Sequence, residues 1–285
     1  MIAARPPGTP GGRNFYQEES FMKIGCCIPT KDYETAAAAG FDFVEFPGTE
    51  LADMEETAFA CLCDVVASGP IPCLALNCYC DARLPIVGSV PQDRDIQRYA
   101  HQVFRRASRL GIQMAGIGSP GARRLPPDFD RSLVDAQGRH FLLLTAQIAA
   151  EYGIRLNFEQ MHRFSCQYGV TTPEAARIVR SVGRPELGLV ADFYHRGVMG
   201  EPPDAFPGYA DLIRHTHIST CGPHYERGYP GMEDLPQYTK ILQGLQSIGY
   251  RGAMSIEAPA EELASKGRAA LDMLHLAEKK AEELP

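Results

Sequence analysis

Apolar, strand-like segments recur along the 285-residue chain at a regular interval, and helical patterns separate them. Eight such segments lie between residues 23 and 257, which gives a mean repeat of (257 − 23)/7, or about 33 residues. Alternation of strand and helix at this period predicts a parallel sheet covered by helices. Eight units favour closure of that sheet into a single-domain α/β structure, the (β/α)8 or TIM barrel.

The predicted strands are residues 23–28, 43–46, 73–77, 113–118, 154–159, 187–192, 213–218 and 253–257, and the predicted helices are 33–39, 93–110, 132–152, 173–182 and 235–248. Four of these helices end at a glycine followed by Phe, Ile or Tyr, which is typical of a helix end before a new strand. An open doubly wound sheet is the alternative, but such sheets carry a G-x-G-x-x-G turn that opens a helix. Here the nearest match, at Gly116 and Gly118, continues into Ser119 and Pro120 and does not begin a regular helix.

Composition and charge exclude several other classes of protein. The net charge of −7 provides no attraction to nucleic acid or to an anionic membrane, and no apolar run approaches the roughly 20 residues of a membrane helix. Residues 1–21 are rich in Pro and Gly without periodicity, so we expect a disordered N-terminal extension ahead of a barrel domain at residues 22–285. The nine cysteines include no C-x-x-C pair, and we expect them to be reduced, as in a cytoplasmic protein.

Polar residues end four consecutive predicted strands, and the carboxyl ends of barrel strands meet at one rim. Glu159 and Asp192 end the fifth and sixth strands, His217 lies near the end of the seventh, and Glu257 ends the eighth. His215 lies two residues before His217, so both imidazoles should point to the same face. Three carboxylates at one rim repel one another unless a cation lies between them. Because oxygen ligands with one imidazole suit Mn²⁺, Mg²⁺ or Co²⁺, the sequence predicts a divalent-metal site.

The chain resembles the sugar isomerase and epimerase family of xylose isomerase-like TIM barrels, which includes ketose 3-epimerases, hydroxypyruvate isomerase and inosose dehydratases. The resemblance covers residues 22–280. Its most specific segments are LNFE at 156–159, LGLVADFYH at 187–195, HTHI at 215–218 and IGYRGAMSIE at 248–257.

This resemblance implies that Glu159, Asp192, His217 and Glu257 hold one divalent metal ion. Mn²⁺ is the first expectation, with Mg²⁺, Co²⁺ and Zn²⁺ as alternatives. The resemblance also implies that Glu159 and Glu257 are the catalytic carboxylates and that His195 contacts substrate oxygens. The chemistry agrees, because a metal bound to a carbonyl and its neighbouring hydroxyl acidifies the C–H bond between them. A carboxylate can then move the proton through a metal-bound cis-enediolate.

Four further residues are candidate substrate contacts, since all of them follow or end predicted barrel strands. The epimerases of this family carry an arginine near the substrate after the seventh strand, and its place by counting is His224, with Arg227 three residues on. His162 stands where these epimerases have an asparagine, and Asn77 ends the third strand, where it could bond a sugar hydroxyl. Glu45, in the second strand, could bind substrate or form a buried ion pair.

The leading hypothesis is a metal-dependent isomerase or epimerase of a small sugar or polyol. The resemblance implies assembly as a homodimer or homotetramer, the common states of its relatives. An inosose-type dehydratase is the alternative on the same site, because an enediolate can expel a neighbouring hydroxyl. An abasic-site endonuclease shares the barrel but needs further histidines on the second and third strands, where this chain has Glu45 and Asn77. A non-catalytic barrel that binds sugar or a partner protein would need no metal.

Overall fold

Eight parallel strands close into a barrel in the computed structural model, which describes residues 22–283. The strands in chain order are β1 (Ile24–Cys27), β2 (Phe43–Pro47), β3 (Cys73–Asn77), β4 (Met114–Ile117), β5 (Arg155–Glu159), β6 (Leu187–Asp192), β7 (Ile213–Ile218), β8 (Thr220–Cys221), β9 (Arg227–Gly228) and β10 (Ala253–Ile256). The order around the barrel is β1-β10-β7-β6-β5-β4-β3-β2, while β8 and β9 form a small antiparallel hairpin. The predicted TIM barrel and its eight strands are therefore confirmed.

Helices surround the barrel and follow most of its strands. They are α1 (Tyr33–Ala39), α2 (Gly48–Asp53), α3 (Glu56–Ser68), α4 (Asp93–Arg109), α5 (Val134–Glu151), α6 (Thr172–Val182), α7 (Phe193–Val198), α8 (Leu235–Ser247) and α9 (Leu263–Glu283). The five predicted helices correspond to α1, α4, α5, α6 and α8, whereas the sequence patterns did not indicate α2, α3, α7 or α9. The predicted disordered extension at residues 1–21, and residues 284 and 285 of the predicted barrel domain, lie outside the described residues.

The ends of α4 and α5 show how a helix of the repeat ends at a glycine before the next strand. Gly111 and Gly153 follow these helices with φ of 76° and 71°, a backbone conformation that costs an L side chain about 1 kcal/mol or more. Nothing within 4 Å would meet a Cβ atom at either position. The glycines are thus required by backbone conformation and not by close packing, and each lets the chain turn from a helix into the next strand.

The barrel strands are buried on both faces, since helices cover the outside and side chains fill the inside. All six residues of β6 are buried, as are five of the six in β7. This burial explains why the strands read as continuous apolar runs in the sequence. Within residues 22–283 no helix has both the length and the apolar composition needed to cross a membrane. All nine cysteines are free thiols in this structure, and five of them are buried.

Helix α6 begins directly after the loop that follows β5, and its start is capped. The Thr171 hydroxyl accepts a hydrogen bond from the Glu174 amide at 3.2 Å. The Glu174 carboxylate in turn accepts the amides of Gly169 and Val170 at 3.1 and 2.9 Å. Together these bonds close the loop at residues 160–171 against the helix.

Thr171→Ala should lower the free energy of unfolding by about 1 kcal/mol, because it leaves a helix N-terminal amide without its acceptor. Urea denaturation followed by circular dichroism measures the change. Thr171→Ser is the matched control, since it retains the hydroxyl and should stay close to wild type. Equal destabilisation by both substitutions would show that packing of the threonine methyl group, and not the cap, carries the effect.

Candidate functional site

The strand ends bring together the four residues that the sequence singled out, which we call the rim cluster: Glu159, Asp192, His217 and Glu257. Asp192 and His217 are direct partners in the register of β6 and β7. Glu159 ends β5, and Glu257 follows β10, where its amide bonds the Ile218 carbonyl at 2.9 Å. One ligand atom from each of the four lies within 4.8 Å of the others. The cluster therefore has the geometry of a candidate metal centre.

Two cationic side chains contact the carboxylates of the rim cluster. His217 Nδ1 lies 2.9 Å from Glu159 Oε1 and 3.5 Å from Glu257 Oε2. Arg227 Nη2 lies 2.9 Å from Asp192 Oδ2 and 3.2 Å from Glu257 Oε2. Each of the three carboxylates thus faces positive charge, as buried carboxylates require.

The three carboxyl groups differ in their pKa although they lie side by side. Burial raises the pKa of Glu159 above its usual range, and the charge of His217 offsets this only in part. Burial also acts on Asp192, but the charge of Arg227 is a main reason that its pKa is held well below the usual range. Burial likewise opposes ionisation of Glu257, yet Arg227 and His217 keep its pKa lowered. Glu159 is therefore the carboxyl group of the cluster that is most easily protonated.

A second group of polar side chains lies in the barrel interior next to the rim cluster and centres on Glu45. This carboxylate is fully buried and accepts hydrogen bonds from His215 Nε2, from Ser255 Oγ and, at 3.3 Å, from His217 Nε2. Glu45 is therefore a buried ion-pair partner, one of the two roles considered from the sequence. Both histidines of β7 point inwards and so share one face, as their spacing predicted.

Glu45 also determines which nitrogen of His217 is free to bind a metal. Because Nε2 of His217 donates to Glu45, an imidazole that loses one proton on binding a metal keeps its hydrogen on Nε2, and Nδ1 then presents its lone pair to the rim cluster. Carboxylates commonly orient metal-binding histidines in this way. Burial opposes protonation of His217, but the negative charges around it, including those of Glu45 and Glu159, raise its pKa well above the usual range.

Two buried residues that the sequence analysis missed fix the backbone of the cluster. Gln160 Nε2 donates to the Asp192 carbonyl at 2.7 Å and links the ends of β5 and β6. Arg123 Nη1 donates to the Glu159 carbonyl at 2.8 Å, and its guanidinium lies 4.2 Å from the ring centre of Phe158. Adjacency to Glu159 could have suggested Gln160. No pattern in the sequence points to Arg123, which lies 36 residues before Glu159 in the chain.

A cavity of about 230 Å³ opens beside the rim cluster. It is lined by Cys78, Gly118, Ser119, Pro120, Glu159, Met161, His162, Ser165, Tyr194, His195, Arg227 and Glu257. Five residues were predicted to contact substrate, and three of them, His162, His195 and Arg227, line this cavity. Both predicted catalytic glutamates line it as well.

His195 is presented to this cavity as a neutral imidazole. Burial lowers the pKa of His195 to about 4. Its Nε2 lies 3.0 Å from Arg227 Nη2, and because a guanidinium can only donate, Nε2 accepts and the proton sits on Nδ1. Among residues 22–283 the Nδ1 atom has no hydrogen-bond partner, so it is a donor for a ligand oxygen.

The structure places the remaining two predicted substrate contacts differently. Asn77 is buried at the end of β3, next to the cavity-lining Cys78, and its Oδ1 lacks a hydrogen-bond partner within the described part of the chain. His224 is exposed in the turn between β8 and β9, where its amide bonds Glu226 Oε2 at 3.0 Å. The hairpin returns Arg227, and not His224, to the rim cluster. Substrate contact by His224 stays a prediction that this arrangement does not support.

Comparison with known proteins gives the family. The family model described as Xylose isomerase-like TIM barrel matches residues 33–279. The chain is 28% identical to a ketose 3-epimerase from Arthrobacter globiformis over 116 residues, which are 40% of this chain and 38% of that protein. Aligned regions span 32% to 56% of the curated relatives' own lengths.

Solved structures resemble the whole barrel at lower sequence identity. An L-ribulose 3-epimerase superimposes with a TM-score of 0.74 at 19% identity, covering 92% of this chain and 97% of that one. The IOLI protein, solved with a binding zinc atom, gives a TM-score of 0.66 at 19% identity, covering 92% and 99% of the two chains. At this identity the likeness shows a shared fold.

Glu45→Gln should weaken binding of Mn²⁺ at the rim cluster by about 10- to 100-fold, the usual effect of removing a carboxylate that orients a metal-binding histidine. An amide has one acceptor oxygen for three donors and leaves His217 less firmly oriented. Isothermal titration calorimetry at constant pH measures the dissociation constant.

Ser255→Ala is the control for this substitution, because it removes one bond to Glu45 and leaves the contact with His217 in place. We expect its Mn²⁺ affinity to remain within a few-fold of wild type. If Glu45→Gln binds Mn²⁺ as tightly as wild type, then Glu45 does not orient His217.

Proposed function

The chain belongs to the xylose isomerase-like TIM barrel family, and from this premise we propose that it is a divalent-metal-dependent isomerase or epimerase of a small sugar or polyol derivative. The observation that carries the proposal is the rim cluster, in which three carboxylates and one imidazole converge beside a cavity of about 230 Å³. A cavity of that size accepts one monosaccharide unit and lies below the roughly 300 Å³ at which pockets for drug-sized ligands begin.

The donor set of the rim cluster fits a divalent cation. We propose that Glu159, Asp192, His217 and Glu257 hold it, and that it is Mn²⁺, with Mg²⁺, Co²⁺ and Zn²⁺ as alternatives. Three oxygen donors and one nitrogen donor suit this group of ions, and three adjacent carboxylates favour added positive charge. When bound, such an ion acidifies the C–H bond between a carbonyl and a hydroxyl of the sugar.

Glu159 and Glu257 are the proposed proton carriers. They come from β5 and from the end of β10, with β6 and β7 between them, so a sugar over the centre of the cluster has one carboxylate on each side. One carboxylate takes the carbon-bound proton, and the C–H electron pair becomes the double bond of a cis-enediolate. Delivery of a proton by the other carboxylate to the opposite face gives epimerisation. Delivery to the neighbouring carbon gives isomerisation.

The main proposed contacts of the substrate oxygens are His195 and Arg227. The Nδ1–H of His195 is a buried donor that lacks a partner within residues 22–283, and the Arg227 guanidinium reaches two carboxylates of the rim cluster. Asn77 and His162 are further proposed contacts, since both are buried with a polar atom that has no partner among the described residues. Assembly as a homodimer or homotetramer and a cytoplasmic location stay predictions from the sequence.

Glu159→Gln and Glu257→Gln should each abolish exchange of the carbon-bound proton, lowering its rate by at least 100-fold, because an amide cannot act as a general base. The measurement is ¹H NMR of candidate ketoses in D₂O with enzyme loaded with Mn²⁺. Glu151→Gln, on the exposed side of α5, is the matched control and should exchange at the wild-type rate. Wild-type exchange by both active-site variants would rule out the two-carboxylate mechanism.

The same NMR experiment, with inososes included among the substrates, separates the proposed activity from that of a dehydratase. Deuterium incorporation without loss of water supports the isomerase or epimerase. Loss of water from an inosose, with no isomerised or epimerised product, would instead assign the site to a lyase.

The purified protein should contain about one divalent ion per chain, and Asp192→Asn should reduce this content severalfold because it removes one charged ligand. The substitution preserves the fold in its vicinity, since Asp192 Oδ1 accepts the Tyr194 and His195 amides at 2.7 and 3.1 Å and asparagine caps helices equally well. Elemental analysis by mass spectrometry gives the metal content and its identity. A wild-type protein that takes up none of these ions, even from solutions of each, would contradict the proposal.

A further inference from the structure

Phe164 and Tyr225 form an exposed pair of aromatic rings at the mouth of the cavity, which we call the aromatic platform. The two residues are 61% and 48% exposed, although burial of an aromatic side chain would stabilise the fold. Their ring centres lie 5.2 Å apart with an interplanar angle of 28°, so the rings are stacked. They come from different segments, the loop after β5 and the turn between β8 and β9.

The platform continues directly from the cavity of the rim cluster. The ring centre of His162 lies 5.9 Å from that of Phe164 and 6.0 Å from that of Tyr225. The centre of the same ring lies 4.9 Å from that of His195, and both histidines line the cavity. A ligand that extends out of the cavity past His162 therefore meets the two exposed rings.

Hydrogen bonds fix the backbone of Tyr225 before any ligand arrives. Tyr225 has φ of +66°, an unusual value for a residue other than glycine. Its carbonyl accepts the Tyr194 hydroxyl at 2.7 Å, and its amide donates to the Gly222 carbonyl at 3.0 Å. Because Tyr194 lines the cavity, its hydrogen bond attaches the backbone of this turn to the cavity wall.

The turn that carries Phe164 is fixed in a similar way. The Ser165 amide and hydroxyl both donate to the His162 carbonyl, at 3.0 and 2.8 Å. The backbone of such a turn is already ordered, so it loses little conformational freedom when the Phe164 ring binds a ligand.

We propose that the aromatic platform is a second sugar subsite and that the substrate of this protein is a glycoside. One sugar unit occupies the cavity at the rim cluster, and a second pyranose ring stacks its apolar C–H face on the outward face of the stacked Phe164 and Tyr225 pair. This inference rests on the proposed function, because it assigns the first unit to the same site. The cavity of about 230 Å³ matches the size of one sugar unit, whereas the outer ring of the stacked pair offers a flat apolar face on which a pyranose ring fits.

The test compares matched pairs of sugars on the full-length protein loaded with Mn²⁺. Isothermal titration calorimetry gives the dissociation constants of three glycosyl-fructoses (isomaltulose, turanose and lactulose) and of D-fructose, and of cellobiose and maltose against D-glucose. We expect at least one glycoside to bind about tenfold more tightly than its matched monosaccharide, as stacking on an aromatic pair provides. The double substitution Phe164→Ala with Tyr225→Gly should reduce this ratio to about one.

Glycine at position 225 suits the positive φ, so the double variant should fold, and its melting temperature verifies this. Leu276→Ala removes an exposed apolar side chain from α9 and should retain the wild-type ratio. The proposal is overturned if no glycoside binds more tightly than its monosaccharide, if none of the sugars binds, or if the double variant keeps the ratio. A lower oligomeric state of the double variant in light scattering would assign the platform to a subunit contact and would also overturn it.

Failure of this inference can be told apart from failure of the proposed function. Proton exchange on a monosaccharide, without any advantage for glycosides, would reject the platform and leave the isomerase proposal intact. Tighter binding of a glycoside that depends on both rings, without proton exchange or reaction of any sugar, would support the platform and reject the isomerase or epimerase.

Discussion

Buried carboxylates need cationic or hydrogen-bond-donating neighbours, and this requirement organises the centre of the barrel. Glu45, Glu159 and Asp192 are almost completely removed from water, and an unpaired charge in such a position would cost several kcal/mol. His217 contacts two of them, Glu159 through Nδ1 and Glu45 through Nε2, while Arg227 contacts Asp192. The placement of one histidine near the end of β7 therefore joins the interior of the barrel to the rim at which the proposed chemistry occurs.

The barrel was predictable from the sequence because its strands are short apolar runs, most of them preceded by a helix that ends in glycine. The missed helices lack these two signals. In α3 only Phe59 and Leu62 are buried, so the apolar periodicity is weak, and the following Gly69 has φ of −80° and not a left-handed conformation. Helix α9 is the last element described and has no strand after it. A glycine that ends a helix before a strand is therefore no guide to a helix such as α9, which covers the barrel and does not lead into another strand.

The rim cluster was predictable for a related reason, since a residue at the end of a barrel strand has little freedom in where its side chain points. Loop residues have no such restriction. Counting along the chain favoured His224 as well as Arg227, but the β8–β9 hairpin reverses the chain and leaves His224 exposed while Arg227 contacts Asp192. Arg123 was not identified because its contact with Glu159 depends on how the loop after β4 folds back. Local sequence patterns therefore indicate which residues form the rim cluster. Only the folded chain shows which other side chains contact these residues and fix their positions.

The contact between Glu45 and His215 joins residues that are 170 positions apart in the chain. It spans the barrel interior, because β1 and β10 lie between β2 and β7 in the order around the ring. A fragment with only the early strands would contain Glu45 without the histidines that donate hydrogen bonds to it. A fragment with only the late strands would contain His217 without the carboxylate that orients it. The proposed metal centre, with its orienting carboxylate in place, therefore forms only after the ring has closed. Its ligand affinity then depends on the integrity of the whole chain, including strands that contribute no ligand.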